Sequence, residues 1–87
     1  MVSYNKEIRN RILISVYAYA YELCNDSLIS DYEYDRLAQE IDVNVSTNNI
    51  VLDKFFKNSY VSYSGSWISI HPEIEKIREI YNKYFKC

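Results

Sequence analysis

Eighty-seven residues, 48% of them hydrophobic types and 25% charged, with a formal net charge of −2, describe one folded domain with room for a single small core. One Gly and one Pro exclude glycine-rich phosphate cradles, two Cys and one His fall short of the roughly four ligands of a structural zinc site, and abundant aliphatic and aromatic side chains exclude disorder. Charge is uneven: residues 1–43 carry four basic and eight acidic side chains, and residues 44–87 carry six basic and four acidic ones.

At ~100° per residue, residues 5–24 read as a first helix whose inward stripe is Ile8, Ile12, Val16, Tyr19 and Leu23, widened by Leu13, Ala20 and Cys24. Tyr17 and Tyr21 lie one turn apart at the stripe's edge, while Ile14 and Ala18 project from the far side. Asn25-Asp26-Ser27 ends this helix. Ser30-Asp31-Tyr32-Glu33 then forms a capping box, in which Ser30 caps the Glu33 amide and Glu33 returns to the Ser30 amide. A second helix over 31–41 buries Tyr34, Leu37, Ala38 and Ile41, and the pair packs as an αα-hairpin.

After a polar stretch at 42–49, the pairs Val51/Phe55 and Leu52/Phe56 predict a short third helix over about 48–58. β-branched and aromatic residues at 60–63 and 67–70 flank the turn signal Ser64-Gly65-Ser66, which predicts a short β-hairpin over about 60–70. Pro72 stands at a first helical position, and a last helix runs to about 86 with Ile74, Ile77, Tyr81 and Tyr84 on one face. The fold class is mainly α. One domain spans 1–87, with a helical hairpin over 5–42 followed by a short helix, a β-hairpin and a C-terminal helix over 43–87.

Cys24 and Cys87 are expected to be reduced thiols of a cytoplasmic protein, because residues 1–11 include Lys6, Glu7, Arg9 and Arg11 and lack the apolar segment of a signal peptide. The apolar run at 12–14 is far too short to span a membrane. His71 has no nucleophile at suggestive spacing and reads as part of a helix start. The carboxylate pairs Asp31/Asp35 and Glu22/Asp26 read as solvated charge rather than metal ligands. No catalytic residue and no metal site is expected, so the chain is not read as an enzyme.

The stretch Tyr21-Glu22-Leu23-Cys24-Asn25-Asp26-Ser27-Leu28-Ile29-Ser30-Asp31-Tyr32-Glu33-Tyr34-Asp35-Arg36-Leu37 resembles the small N-terminal domain (Ia) of bacterial NAD-dependent DNA ligases, over about residues 17–41. That family's motif ends one helix with a Tyr-His pair and opens the next with Ile-(Ser/Pro)-Asp-x-Glu-Tyr-Asp-x-Leu. The second part stands here as Ile29-Ser30-Asp31-Tyr32-Glu33-Tyr34-Asp35-Arg36-Leu37. In the ligases the hairpin closes over the nicotinamide mononucleotide half of NAD. The resemblance therefore implies that Tyr21, Asp31, Tyr34 and Asp35 surround a nicotinamide ribose phosphate, with rings stacked on the pyridinium and carboxylates accepting from ribose hydroxyls. Glu22 replaces the motif's His, and no KxDG nucleotidyltransferase motif occurs, so no lysine is placed to form the adenylate.

Between residues 22 and 42 seven acidic side chains face Arg36 alone, a surface that repels a phosphate backbone and suits a basic groove on another protein. Ten tyrosines add large contact area with few torsions to freeze. The leading expectation is a non-catalytic protein–protein interaction module that uses Tyr17, Tyr21, Glu22, Asp31, Tyr32 and Asp35. Its size and Ile/Asn/Tyr/Ser-rich makeup are similar to accessory proteins of phages and mobile elements that inhibit host nucleic-acid or defence machinery, CRISPR effectors included. The alternative is a nicotinamide mononucleotide or NAD binder at the ligase-like positions, with no other cofactor expected. A third reading binds nucleic acid through Lys54, Lys57, Lys76, Arg78, Lys83 and Lys86 beside Tyr60, Tyr63 and Trp67. Self-association stays open.

Overall fold

Four helices, α1 (Tyr4–Cys24), α2 (Asp31–Glu40), α3 (Ile50–Asn58) and α4 (Ile74–Ile80), follow in chain order in a computed structural model that describes residues 4–85. A 3-10 turn, Ser66–Ile70, precedes α4, and a π-turn, Tyr81–Phe85, continues it. The molecule is mainly helical, and none of its described helices is long and apolar enough to cross a membrane.

The centre is α1. Helix α2, the 3-10 turn and α4 all pack on it, so its middle is enclosed from several sides. Ile14 and Ala18, expected on the far side, are 0% and 1% exposed, whereas Ile12 and Leu23 of the expected inward stripe are 39% and 50% exposed. Cys24 is exposed as a free thiol, and Cys87 lies outside the described residues. A helix surrounded by neighbours has no single apolar face, and Ala18 and Ala20 let those neighbours come close.

Local chemistry sets the helix ends. Asn25 adopts the left-handed conformation (φ 53°), and the Asp26 amide turns back to the Ala20 carbonyl at 2.8 Å. Ser30 accepts from the Glu33 amide at 3.1 Å, as the capping box predicts. Glu33 departs from it: its Oε1 accepts from the Ser30 hydroxyl at 3.1 Å instead of returning to the Ser30 amide. Asn48 is again left-handed (φ 64°), and Asn49 caps α3 by accepting from the Leu52 amide at 3.1 Å.

The β-hairpin expected over about 60–70 is not formed, and no strand occurs among the described residues. Trp67 and Ile68 are adjacent and both buried, at 3% and 0% exposure, an arrangement that the strict alternation of a half-buried strand forbids. The Trp67 indole Nε1 donates to the Ser64 carbonyl at 2.7 Å, and the Ile68 amide donates to the Gly65 carbonyl at 3.1 Å, folding the segment into a turn. Trp67 then lies among Phe55, Phe56 and Tyr60, with ring centroids 6.1, 5.7 and 5.0 Å away.

The last helix also differs from its expectation. Ile77 and Tyr81 are buried, but Tyr84 is 68% exposed, and Phe85 instead meets Tyr17 edge-on at 6.0 Å. A π-turn has more residues per turn than an α-helix, which brings the residue four places after Tyr81, not three, onto the inward side.

A buried polar knot joins distant parts of the chain. Arg11, 5% exposed, donates from Nε to Glu7 Oε2 at 2.7 Å, from Nη1 to Asp53 Oδ1 at 2.8 Å, and from Nη2 to the carbonyls of Asp42 and Val45 at 2.8 and 3.0 Å. Glu7, 1% exposed, also accepts from the Asp42 amide, and Thr47 donates to Asp53 from its amide and hydroxyl. Each of the three guanidinium nitrogens finds an acceptor, with four of the five N–H groups used, which offsets the desolvation of such a charge.

A candidate docking cleft between α1, α2 and the Ser64-Gly65 turn

The end of α1 and the start of α2 diverge around the linker at Ser27, Leu28 and Ile29, and the chain at Tyr63, Ser64 and Gly65 closes the opposite wall. Between them lies a half-open cleft of about 400 Å³. Tyr17, Tyr21 and Glu22 line it from α1, and Asp31, Tyr34 and Asp35 line it from α2. One turn of helix separates Tyr17 from Tyr21 and Asp31 from Asp35, so each pair shares a face and both faces border the same space. The four positions to which the ligase resemblance assigns a nucleotide, Tyr21, Asp31, Tyr34 and Asp35, all border it.

Tyr32 does not. Its ring is 69% exposed outside the cleft, with the Arg36 guanidinium 5.9 Å from its centroid. Five of the six expected partner-binding residues thus converge, while Tyr32 stands at the rim with the acidic stretch's one cation stacked upon it.

Electrostatically the cleft has one sign. Its lining contains the carboxylates of Glu22, Asp31 and Asp35 and no Lys, Arg or His among the described residues. None of the three takes part in an ion pair among those residues. The N-terminus of α2 is already served by Ser30 and carries Asp31 and Glu33 in its first turn, so its dipole offers little to an anion.

At the floor, the Tyr34 hydroxyl is buried and has no hydrogen-bond partner among the described residues. Burial pushes its pKa up to about 12, so it is a neutral phenol at any physiological pH. Gly65 lies over it: a Cβ there would sit 3.4 Å from the Tyr34 hydroxyl, 3.4 Å from Glu22 Cγ and 3.5 Å from Ala18 Cβ. The absent side chain leaves a methyl-sized space between the turn and the cleft floor. The turn is held by the Trp67 indole bond to the Ser64 carbonyl and by the Ser66 amide, which donates to Ser64 Oγ at 3.1 Å.

The wall formed by Tyr63, Ser64 and Gly65 is the part that sequence reasoning missed. Its signal, the only Gly in the chain between two serines, points in sequence to a hairpin tip and carries no mark of the cleft.

Elsewhere the groups read as candidates have structural surroundings. His71 is 6% exposed and accepts from the Glu73 amide at Nδ1, 3.0 Å away, with Phe55 and Phe56 against its ring. Burial lowers its pKa to about 4, against a smaller opposing effect of Glu73. Of the aromatic platform considered for nucleic acid, Tyr60 donates to the Ala38 carbonyl at 2.8 Å and Trp67 is buried, which leaves only Tyr63 exposed. Lys76 and Arg78 are paired with Glu73 and Glu75. A second cavity of about 230 Å³ between Ile12, Leu52, Phe56 and Ile77 is bordered by Arg11, held in the polar knot, and by His71, whose Nδ1 accepts from the Glu73 amide. Among the described residues, no three His, Cys, Asp or Glu side chains gather as a metal-ligand set.

No protein-family model matches the chain, and neither a curated protein nor a solved structure matches it.

Proposed function

We propose that the chain is a non-catalytic interaction module that offers the acidic, tyrosine-rich rim of the cleft to a basic surface of a partner protein. The observation that carries this reading is the convergence of Glu22, Asp31 and Asp35, exposed and without an ion pair among the described residues, with exposed Tyr21 and half-buried Tyr17 around one concave surface. Charges of one sign guide association with a surface of opposite sign, and tyrosines supply contact area with little entropy to lose. The size and makeup noted in the sequence suit an accessory protein of a phage or mobile element, one that occludes a basic nucleic-acid-binding groove of host or defence machinery.

The test is salt-dependent binding to a purified protein with a basic groove, a nucleic-acid-binding effector being the natural choice. Replacing Tyr21 by Ala and Asp35 by Asn should weaken binding by roughly tenfold or more without lowering the melting temperature, since both side chains are exposed. Binding that survives both substitutions refutes this face.

One observation favours a second reading, a nicotinamide-nucleotide binder, because all four residues implied by the ligase resemblance border one cleft. A phosphate would meet three carboxylates there and no cation, which weighs against it. A ligand of the native state raises the melting temperature by mass action, so nicotinamide mononucleotide at millimolar concentration decides the matter.

A further inference from the structure

Two features of the cleft describe the occupant it fits: its charge and its walls. The charge is negative throughout the lining, with Glu22, Asp31 and Asp35 and no compensating base among the described residues. The walls are aromatic, with Tyr17 and Tyr21 on one side, Tyr34 on the other and Tyr63 on the turn. A cation satisfies the first feature, and a flat cation that stacks on rings the second. Guanidinium meets both: it is planar, stacks on aromatic faces, donates in a fixed fork to carboxylates, and is more weakly hydrated than an ammonium. The protein already pairs these groups once at the rim, where Arg36 lies over Tyr32. That arrangement also keeps the neighbouring cation occupied outside the cleft.

We infer that the cleft is a receptor pocket for a single arginine side chain projecting from the partner protein, held by Glu22 and Asp35 and stacked among Tyr17, Tyr21 and Tyr63. This inference rests on the proposed docking face and adds the residue type that the face selects. The pocket supplies specificity, and the surrounding acidic rim supplies attraction. Lysine is the discriminating competitor, because its compact ammonium keeps the charge but neither stacks nor forks.

The experiment titrates the full chain with the capped pentapeptides Gly-Gly-Arg-Gly-Gly and Gly-Gly-Lys-Gly-Gly at constant ionic strength, followed by NMR. Saturable shifts confined to the Gly65 amide and to the rings of Tyr17, Tyr21, Tyr34 and Tyr63 are expected with the arginine peptide, and binding roughly tenfold weaker with the lysine peptide. The double variant Glu22→Gln/Asp35→Asn should abolish the arginine shifts with the rest of the spectrum unchanged. Equal binding of both peptides overturns the arginine pocket, as does an unsaturable response or shifts elsewhere on the surface. Displacement of the arginine peptide by nicotinamide mononucleotide overturns it in favour of the nucleotide. A hexa-arginine peptide separates the two proposals. If hexa-arginine binds the wild type and is weakened in the double variant while the single-arginine peptide shows no saturable binding, the docking face stands and the pocket falls; if hexa-arginine binds both proteins equally, or neither peptide binds, both fall.

Discussion

Two tyrosines show how the fate of one oxygen decides what a side chain contributes. The Tyr60 hydroxyl donates to the Ala38 carbonyl at 2.8 Å, and burial raises its pKa. The Tyr34 hydroxyl is buried with no hydrogen-bond partner among the described residues, the neighbouring Trp67 indole being committed to the Ser64 carbonyl. Removing a satisfied group leaves its acceptor orphaned, whereas removing an orphan relieves a desolvation penalty. Tyr60→Phe should therefore destabilise by about 1 kcal/mol, and Tyr34→Phe should be neutral or stabilising by a similar amount, read from urea denaturation midpoints at unchanged slope. A loss in Tyr34→Phe as large as in Tyr60→Phe would reveal a partner for that hydroxyl. Arg11 is the other single-residue test. Its removal leaves Glu7 at 1% exposure and Asp53 half-buried without their cation, so Arg11→Met should cost about 3–5 kcal/mol, a large share of a small domain's stability. Because the whole chain is small, circular dichroism should show Arg11→Met largely unfolded at 37 °C.

At the scale of the element, His71 ties the 3-10 turn to α4, and its protonation is coupled to folding. Burial lowers its pKa to about 4 in the folded protein, against about 6.5 in an unfolded chain, so the unfolded state binds more protons between those values. Stability is thus intact above about pH 6.5 and falls as the pH drops toward 4, by at most about 3 kcal/mol. Asp53 acts in a lower window. Burial alone would raise its carboxyl, but hydrogen bonds from Thr47 and the Arg11 guanidinium hold it below its usual range, so its contribution is lost only under more acid conditions. Melting temperatures of His71→Gln should be flatter than wild type between pH 6.5 and 4, and the two proteins should converge in slope below that range.

The elements also divide cleanly into those the sequence announces and those it conceals. The α1–α2 hairpin and the Ser30 cap follow from periodicity and from local hydrogen bonding, both written in adjacent residues. The turn at Ser66–Ile70 does not. Its β-branched and aromatic composition favours a strand, and the deciding interactions are the indole bond to Ser64 and the packing of Trp67 on α3, which are tertiary. The same holds for the site. Tyr17, Tyr21, Glu22, Asp31, Tyr34 and Asp35 were legible from helical spacing and the ligase-like motif, while the wall at Tyr63, Ser64 and Gly65 comes from 28 positions beyond Asp35, brought there only by the fold. The burial of Ile14 and Ala18 was hidden for a related reason. A periodic pattern reports one apolar face, and α1 is covered on several.

On the scale of the whole molecule, a Cα radius of gyration of 12.1 Å matches the roughly 12 Å of a folded domain of this length. That compactness depends on α1, which serves as a common wall for α2, the 3-10 turn and α4. Each one's departure uncovers a side of α1 that the others rely on, so the structure has no half that persists alone. Limited digestion should accordingly yield either intact chain or small peptides, with no long-lived trimmed product, and a cut beside exposed Asn44 or Ser46 should doom the rest to rapid clearance by the same protease.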